Sequence, residues 1–354
     1  MAYTTTGPLE ALYQRVASLH GALYRSGLLR RQALDRFTVS VGGLRFGGAG
    51  KTPLVRLLAR PTDAILTRGY GGRVRGAPHV ARGEGTDGAP WARPVSVGGH
   101  VRPARDWSAQ LGDEPALLAA ALPGIPVGVC PDRAAAARAI VGDADPHRFV
   151  LDDGFSHHRL GRDADLVVIP VNARGEGLGP VRGRQREGDA ALARADGLVL
   201  LHDGVAGLDS VAADRAGSEL AFRGPLGIVR RSVSGVWRWP DGEAAGPADL
   251  ARCTLFPICA IGRPDSFRRL VEGFPGARVL EGRAYRDHHR FGAHELARDE
   301  ATARDLGADA VVSTVKDAMR LPADWTPSLP WWIVEAALVW DRGRESIEEV
   351  VTPP

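Results

Sequence analysis

From Phe37 onward the chain alternates short apolar runs with glycine- and proline-rich turns. Phe37–Val41, Ala64–Thr67, Pro126–Cys130, Phe149–Asp152, Leu166–Ile169 and Leu198–His202 are short and rich in β-forming or aliphatic residues. That pattern predicts buried strands. Between them, Thr52–Arg60, Glu114–Leu122 and Arg133–Val141 have helical character. Such alternation predicts βαβ units and a mostly parallel sheet, an α/β fold. Residues 68–100, rich in Gly, Pro and Arg, predict a long loop or hairpin excursion. From about Asp203 to Leu250 the pattern weakens into Gly, Ala and Asp, and a second α/β set follows. That set comprises Pro257–Ile261, a helix near Phe267–Glu272, Ala310–Ser313 and Trp332–Val334. The expectation is a core domain over 37–225 and a smaller α/β domain over 226–354.

Ahead of the first strand, Leu9, Leu12, Tyr13, Val16, Leu19, Leu23 and Leu28 recur at helical spacing between Pro8 and Leu34. Arg15, Arg25, Arg30 and Arg31 lie near or opposite that stripe. An amphipathic helix within residues 1–36 fits two roles: packing on its own domain, or lying on an anionic membrane surface. No stretch has the length and apolarity of a membrane-spanning helix, and the N-terminus lacks a signal-peptide pattern.

Length and charge narrow the picture. The 354 residues suffice for two cores, and a net charge of +3 is too small to mark a general nucleic-acid binder. Cys130, Cys253 and Cys259 form no CxxC pair and read as thiols of a reducing compartment. The informative bias is among the cations: of 45 basic residues only Lys51 and Lys316 are lysines. A lysine kept where arginine is otherwise used offers a compact ammonium that reaches a phosphate as a point charge.

Lys51 ends the run Gly47-Gly48-Ala49-Gly50-Lys51-Thr52, between a predicted strand and a predicted helix. Glycines let backbone N–H groups turn toward phosphate oxygens, and the helix N-terminus adds a favourable dipole. Lys51 would reach the β- and γ-phosphates, and Thr52 would give a hydroxyl to Mg²⁺. The match to a full phosphate-binding loop is partial, because Arg45 stands where the pattern has glycine. A second element is the apolar strand ending in Asp152-Asp153-Gly154, which reads either as a turn or as the acidic metal motif of the same site. Gly112-Asp113-Glu114-Pro115 precedes a helix and suits an N-terminal cap. Asp287-His288-His289 reads as a solvated pair, or as a carboxylate–imidazole set able to deprotonate a hydroxyl. A zinc reading of that triplet has no companion motif.

In this order, the motifs resemble the tetraacyldisaccharide 4′-kinases of lipid A synthesis. The resemblance rests on Val41-Gly42, Gly47–Pro53, Thr67–Gly72, Gly112–Pro115, Pro131–Arg133, Asp152–His157, Arg162-Asp163, Gly179–Arg182, Asp287–His289 and Thr314–Asp317. It implies a P-loop NTPase-like core, a smaller domain closing the active-site cleft, and an N-terminal helix on the inner leaflet. It also implies ATP and Mg²⁺ as cofactors and an acylated disaccharide lipid as partner, with no nucleic acid and no obligate protein partner. Asp113 with His288 would activate the sugar hydroxyl. Gly47, Gly48, Ala49, Gly50, Lys51 and Thr52 would bind nucleotide, with Thr52, Asp152 and Asp153 on the metal. Arg68, Tyr70, Glu114, Arg133, His157 and Arg182 would serve phosphate or substrate. The chain departs from the family pattern at Gly43, Arg45, Ala49, Ser156 and Val315, and at Gly183, where an acid commonly follows the arginine. Rival readings are a partner-coupled P-loop ATPase of the metallochaperone or partitioning type, and a non-catalytic nucleotide-binding paralogue.

Overall fold

The computed structural model describes residues 16, 19–24, 26–44, 50–74, 76–174, 177–180, 186–203 and 218–354. The phosphate-loop residues Gly47, Gly48 and Ala49 and the arginine Arg182 lie outside them, as does Arg45.

The strands of the first lobe are β1 (Phe37–Gly42), β2 (Asp63–Thr67), β3 (His79–Gly83), β4 (Pro94–Val97), β5 (His100–Pro103), β6 (Val127–Val129), β7 (Arg148–Asp152), β8 (Ala164–Arg174), β9 (Gly177–Pro180) and β10 (Gly197–His202). Across the sheet the order is β5-β4-β3-β6-β2-β7-β1-β8-β10. From β6 to β10 every pairing is parallel, as expected. Strands β3, β4 and β5 run antiparallel at the edge and account for much of the predicted hairpin excursion. β9 folds back antiparallel on the end of β8.

Both faces of the central parallel strands are buried, which is why strands such as β2 and β7 read as unbroken apolar runs. Ile65 and Val150 point to one face, covered by α1 (Lys51–Leu58), α2 (Ala104–Leu111) and α3 (Asp113–Ala121). Ala64, Leu66, Phe149 and Leu151 point to the other, covered by Ala134, Ala136, Ala137 and Ile140 of α4 (Arg133–Val141). The period-2 alternation thus sorts one strand's residues between two cores.

The second lobe contains β11 (Leu226–Arg238), β12 (Ala244–Ala245), β13 (Thr254–Cys259), β14 (Arg278–Val279), β15 (Arg283–Ala284), β16 (Ala310–Thr314) and β17 (Trp331–Arg342). Its helices are α5 (Pro264–Glu272), α6 (Ala293–Asp305), α7 (Val315–Ala318) and α8 (Arg344–Val351). The first residues of β11 pair in parallel with β10, and its length then runs antiparallel to β17. β17 continues the sheet through β16 to β13. One sheet therefore passes through both lobes. The region read as a weak, boundary-like stretch holds this 13-residue strand. Its polar Arg230, Arg231, Ser232 and Ser234 are half-buried or exposed, so the apolar run that marks the central strands is missing.

The N-terminal helix ends earlier than the periodicity predicts. Described residues 19–24 are helical, and the chain then turns at Ser26–Leu29. Gly27 takes φ +78, Ser26 N–H bonds to Ala22 O, and Leu29 N–H bonds to Leu23 O. A left-handed glycine with such backward bonds ends a helix whatever the side-chain stripe continues to suggest. No helix among the described residues is long and apolar enough to cross a membrane.

Candidate active site

The parallel strands deliver their C-terminal ends to one edge, where open α/β sheets bind ligands. β1 ends at Gly42, and after the phosphate loop Gly50 enters α1 with φ +84, a conformation that suits glycine. β7, paired with β1, ends at Asp152. The Thr52 hydroxyl therefore meets the Asp152 carboxylate, at 3.0 Å and 3.2 Å. Lys51 Nζ lies 2.8 Å from Asp153 Oδ1. Arg186 completes this cluster, its Nη1 2.7 Å from both Asp153 oxygens.

The two aspartates differ in charge balance. Burial, then Glu114 and Asp153, push the Asp152 carboxyl up to about 7. Burial also pushes Asp153 up, but Lys51 and Arg186 together hold it below its usual value. Of the two, Asp152 is the one whose charge is less compensated.

Asp113 and Glu114 occupy the first turn of α3, where the helix dipole favours acids, but they cap nothing with their side chains. Gly112 before them takes φ +98, and a Cβ there would sit 2.4 Å from Tyr70 O. That close approach places the Arg68–Gly72 turn against the start of α3. The acids reach across to the second lobe. Glu114 pairs with Lys316, whose charge outweighs burial and holds the glutamate below its ordinary value. Asp113 Oδ2 lies 3.6 Å from His288 Nδ1 and 3.1 Å from Arg320 Nε. Tyr70 lies over His288 with ring centroids 5.5 Å apart. His288 itself has φ +63, and Asp287 Oδ1 is 3.8 Å from its Nε2. The structure thus brings Asp113 and His288, two residues far apart in sequence, together. His289 is turned elsewhere, 2.6 Å from Glu295 and stacked on Tyr285.

Arg133 is buried at the start of α4, donating to Pro131 O at 3.0 Å. Burial and then Arg68 pull it down to about 10. Burial and then Arg133 pull His157 down to about 4, and Arg162, Arg159 and Arg68 add to the effect. Arg68 and Arg133 therefore make a positive patch suited to anionic oxygens, beside a His157 kept neutral.

Lys316, singled out by the rarity of lysine and by the Thr314–Asp317 motif, had no site role assigned from sequence, and neither had Arg320 or Arg186. Arg186 is followed by Glu187, the arginine–acid pair sought at position 182, and it is Arg186 that grips Asp153.

A parallel sheet with a lysine–threonine helix start facing a strand-end aspartate pair defines a P-loop-type phosphoryl-transfer protein. The model of the Tetraacyldisaccharide-1-P 4'-kinase family matches residues 3–352, and the chain belongs to that family. A tetraacyldisaccharide 4'-kinase of Anaeromyxobacter sp. is 39% identical over 325 residues, covering 88% of this chain and 81% of that one. One from Syntrophus aciditrophicus is 33% identical over 330 residues, covering 88% and 82%. Among solved structures, the "apo" form of LpxK from Aquifex aeolicus in complex with ATP is similar at a TM-score of 0.66. It is 24% identical, covers 97% of this chain and 96% of that one, and bears on the fold.

Proposed function

We propose that the chain uses ATP and Mg²⁺ to phosphorylate the 4′-hydroxyl of a tetraacyldisaccharide 1-phosphate. Beyond its family membership, the observation that carries this reading is the meeting of Asp113 and His288 from opposite lobes, on the ligand edge that also holds Lys51, Thr52 and Asp152. Lys51, released from Asp153, binds the nucleotide's β- and γ-phosphates. Asp113 accepts the proton of the sugar hydroxyl, with His288 orienting it. The hydroxyl oxygen then bonds to the γ-phosphorus as the bond to ADP breaks, with the positioned groups supplying most of the rate. Arg68 and Arg133 receive negative charge from substrate, with neutral His157 beside them to donate or accept a hydrogen bond.

The residues present fit Mg²⁺. Asp152 and the Thr52 hydroxyl offer hard oxygen donors, and Asp152's raised pKa reflects burial first and then the negative charge of Glu114 and Asp153. Among the described residues no group of three or more His, Cys, Asp or Glu side chains could hold a metal ion. That suits an ion held by one or two protein oxygens together with phosphates. Asp152 and Thr52 would hold it, with Asp153 available if Lys51 and Arg186 turn to the nucleotide. When bound, Mg²⁺ neutralises charge developing on the phosphate oxygens.

Attachment to the cytoplasmic face of the inner membrane belongs to the same proposal. Val16, Leu19 and Leu28 are 58%, 62% and 75% exposed, an apolar surface that a lipid interface would cover. Changing all three to Ser should release the protein from anionic vesicles; undiminished sedimentation with them would contradict this attachment. For the chemistry, Asp113→Ala should lose phosphoryl transfer while still binding ATP. Near-normal transfer by that folded variant would overturn the assignment of the base.

A further inference from the structure

Arg320 lies just beyond α7, buried at the junction of the lobes. Its Nε is 3.1 Å from Asp113 Oδ2 and also donates to Lys316 O at 3.2 Å. Its Nη1 donates to Ala260 O and to His289 O, both at 3.3 Å. Ala260 O also accepts the backbone N–H of His288 at 3.3 Å. One guanidinium therefore touches the carboxylate of the dyad and, through two carbonyls, both ends of the backbone turn that presents the imidazole. Asp317, fully buried, fixes this frame from below. It accepts from Ala260 N–H at 2.9 Å and from the Thr314 hydroxyl at 2.6 Å, and its Oδ1 is 3.6 Å from Arg320 Nη2.

The arrangement matters because Arg320 contacts both Asp113 and the turn that carries His288, beside the Lys316–Glu114 pair that also spans the lobes. Asp113 and His288 come from different lobes and stand 3.6 Å apart, so their register depends on what holds each. His288 has φ +63, a strained conformation for a non-glycine residue that persists only where its surroundings enforce it. A planar fork holds a carboxylate and two carbonyls at fixed angles, whereas an ammonium is a rotatable point charge that does not fix those angles.

We infer that Arg320 is a positioning residue for phosphoryl transfer, setting the register of Asp113 against His288 across the junction of the lobes. The inference rests on the reading of Asp113 as the base. A misplacement of about 1 Å in a reacting pair costs on the order of 100-fold in rate.

The test is steady-state kinetics of Arg320→Gln and Arg320→Lys, alone and combined with Asp113→Asn, with ATP affinity measured on the same samples. Arg320→Gln should lose on the order of 100-fold in kcat, with KM for ATP within about twofold of the parent. Arg320→Lys, which restores charge without the fork, should recover only part of the loss. In the Asp113→Asn background neither change should lower the residual rate further, because the group that Arg320 positions is already gone. A kcat near the parent's in Arg320→Gln, or an equal further loss in the Asp113→Asn background, would overturn the inference. Should Arg320→Gln fail to fold, Arg320→Lys decides by the same two criteria. Full activity in Asp113→Asn alone would instead overturn the base assignment beneath it.

Discussion

Replacing Lys316 with Met should loosen the joint between the lobes. Lys316 and Glu114 stand 202 residues apart and pair across it, with side chains 34% and 29% exposed. Removing one member of a fully buried pair costs about 3–5 kcal/mol, because the other charge is stranded. Partial exposure lets water screen the remaining charge, which brings the expectation down to about 1–2 kcal/mol. The stranded group is Glu114, which already pushes Asp152 up, so the variant packs uncompensated carboxylates together. Glu114→Gln should therefore restore much of the stability lost in Lys316→Met, giving a coupling energy of about 1 kcal/mol in a double-mutant cycle. Urea unfolding of the parent, both single variants and the double variant measures this. A Lys316→Met protein as stable as the parent, with no coupling to Glu114, would refute the reasoning.

Other predictions follow from the same geometry. Arg186→Met should lower kcat/KM for ATP by about 10-fold or more, since the charge-assisted contact of its Nη1 with both Asp153 oxygens is lost. Arg182→Met should do less, and the reverse ranking would return the role to Arg182. Arg148, buried with Asp63 and donating to Leu58 O and Val351 O, lies away from the chemistry. Arg148→Met should cost about 3–5 kcal/mol by stranding Asp63, with kcat of the surviving folded protein unchanged. His157 has its pKa depressed to about 4, against 6.5 when unfolded, so the unfolded state binds more protons between those values. Its contribution to stability is thus present above pH 6.5 and is lost as pH falls toward 4. His157→Asn should flatten that part of the urea-midpoint profile, and an unchanged acid slope would contradict the assignment.

The parallel core was readable because strands such as Phe149–Asp152 are buried on both faces and so are apolar throughout. β11 escaped because its Arg230, Arg231, Ser232 and Ser234 break that run. The edge hairpin had a local sign that went unused: Gly98 and Gly99 join β4 to β5 with φ +57 and +80, the signature of a tight two-residue turn. Lys51, Thr52 and Asp152 were legible because a phosphate loop and its partner strand carry compact motifs. Arg320 was not, since it matters only through Asp113 and the backbone of the His288 turn, contacts made across lobes that no local pattern records.

The central claim is phosphoryl transfer to a lipid hydroxyl at the Lys51 site. The most direct measurement incubates the protein with γ-labelled ATP, Mg²⁺ and a detergent-solubilised tetraacyldisaccharide 1-phosphate, and follows label into the lipid. The account predicts label on the lipid with the parent protein and none with Lys51→Ala. Hydrolysis of ATP by the parent without labelled lipid, or undiminished labelling by Lys51→Ala, would contradict it.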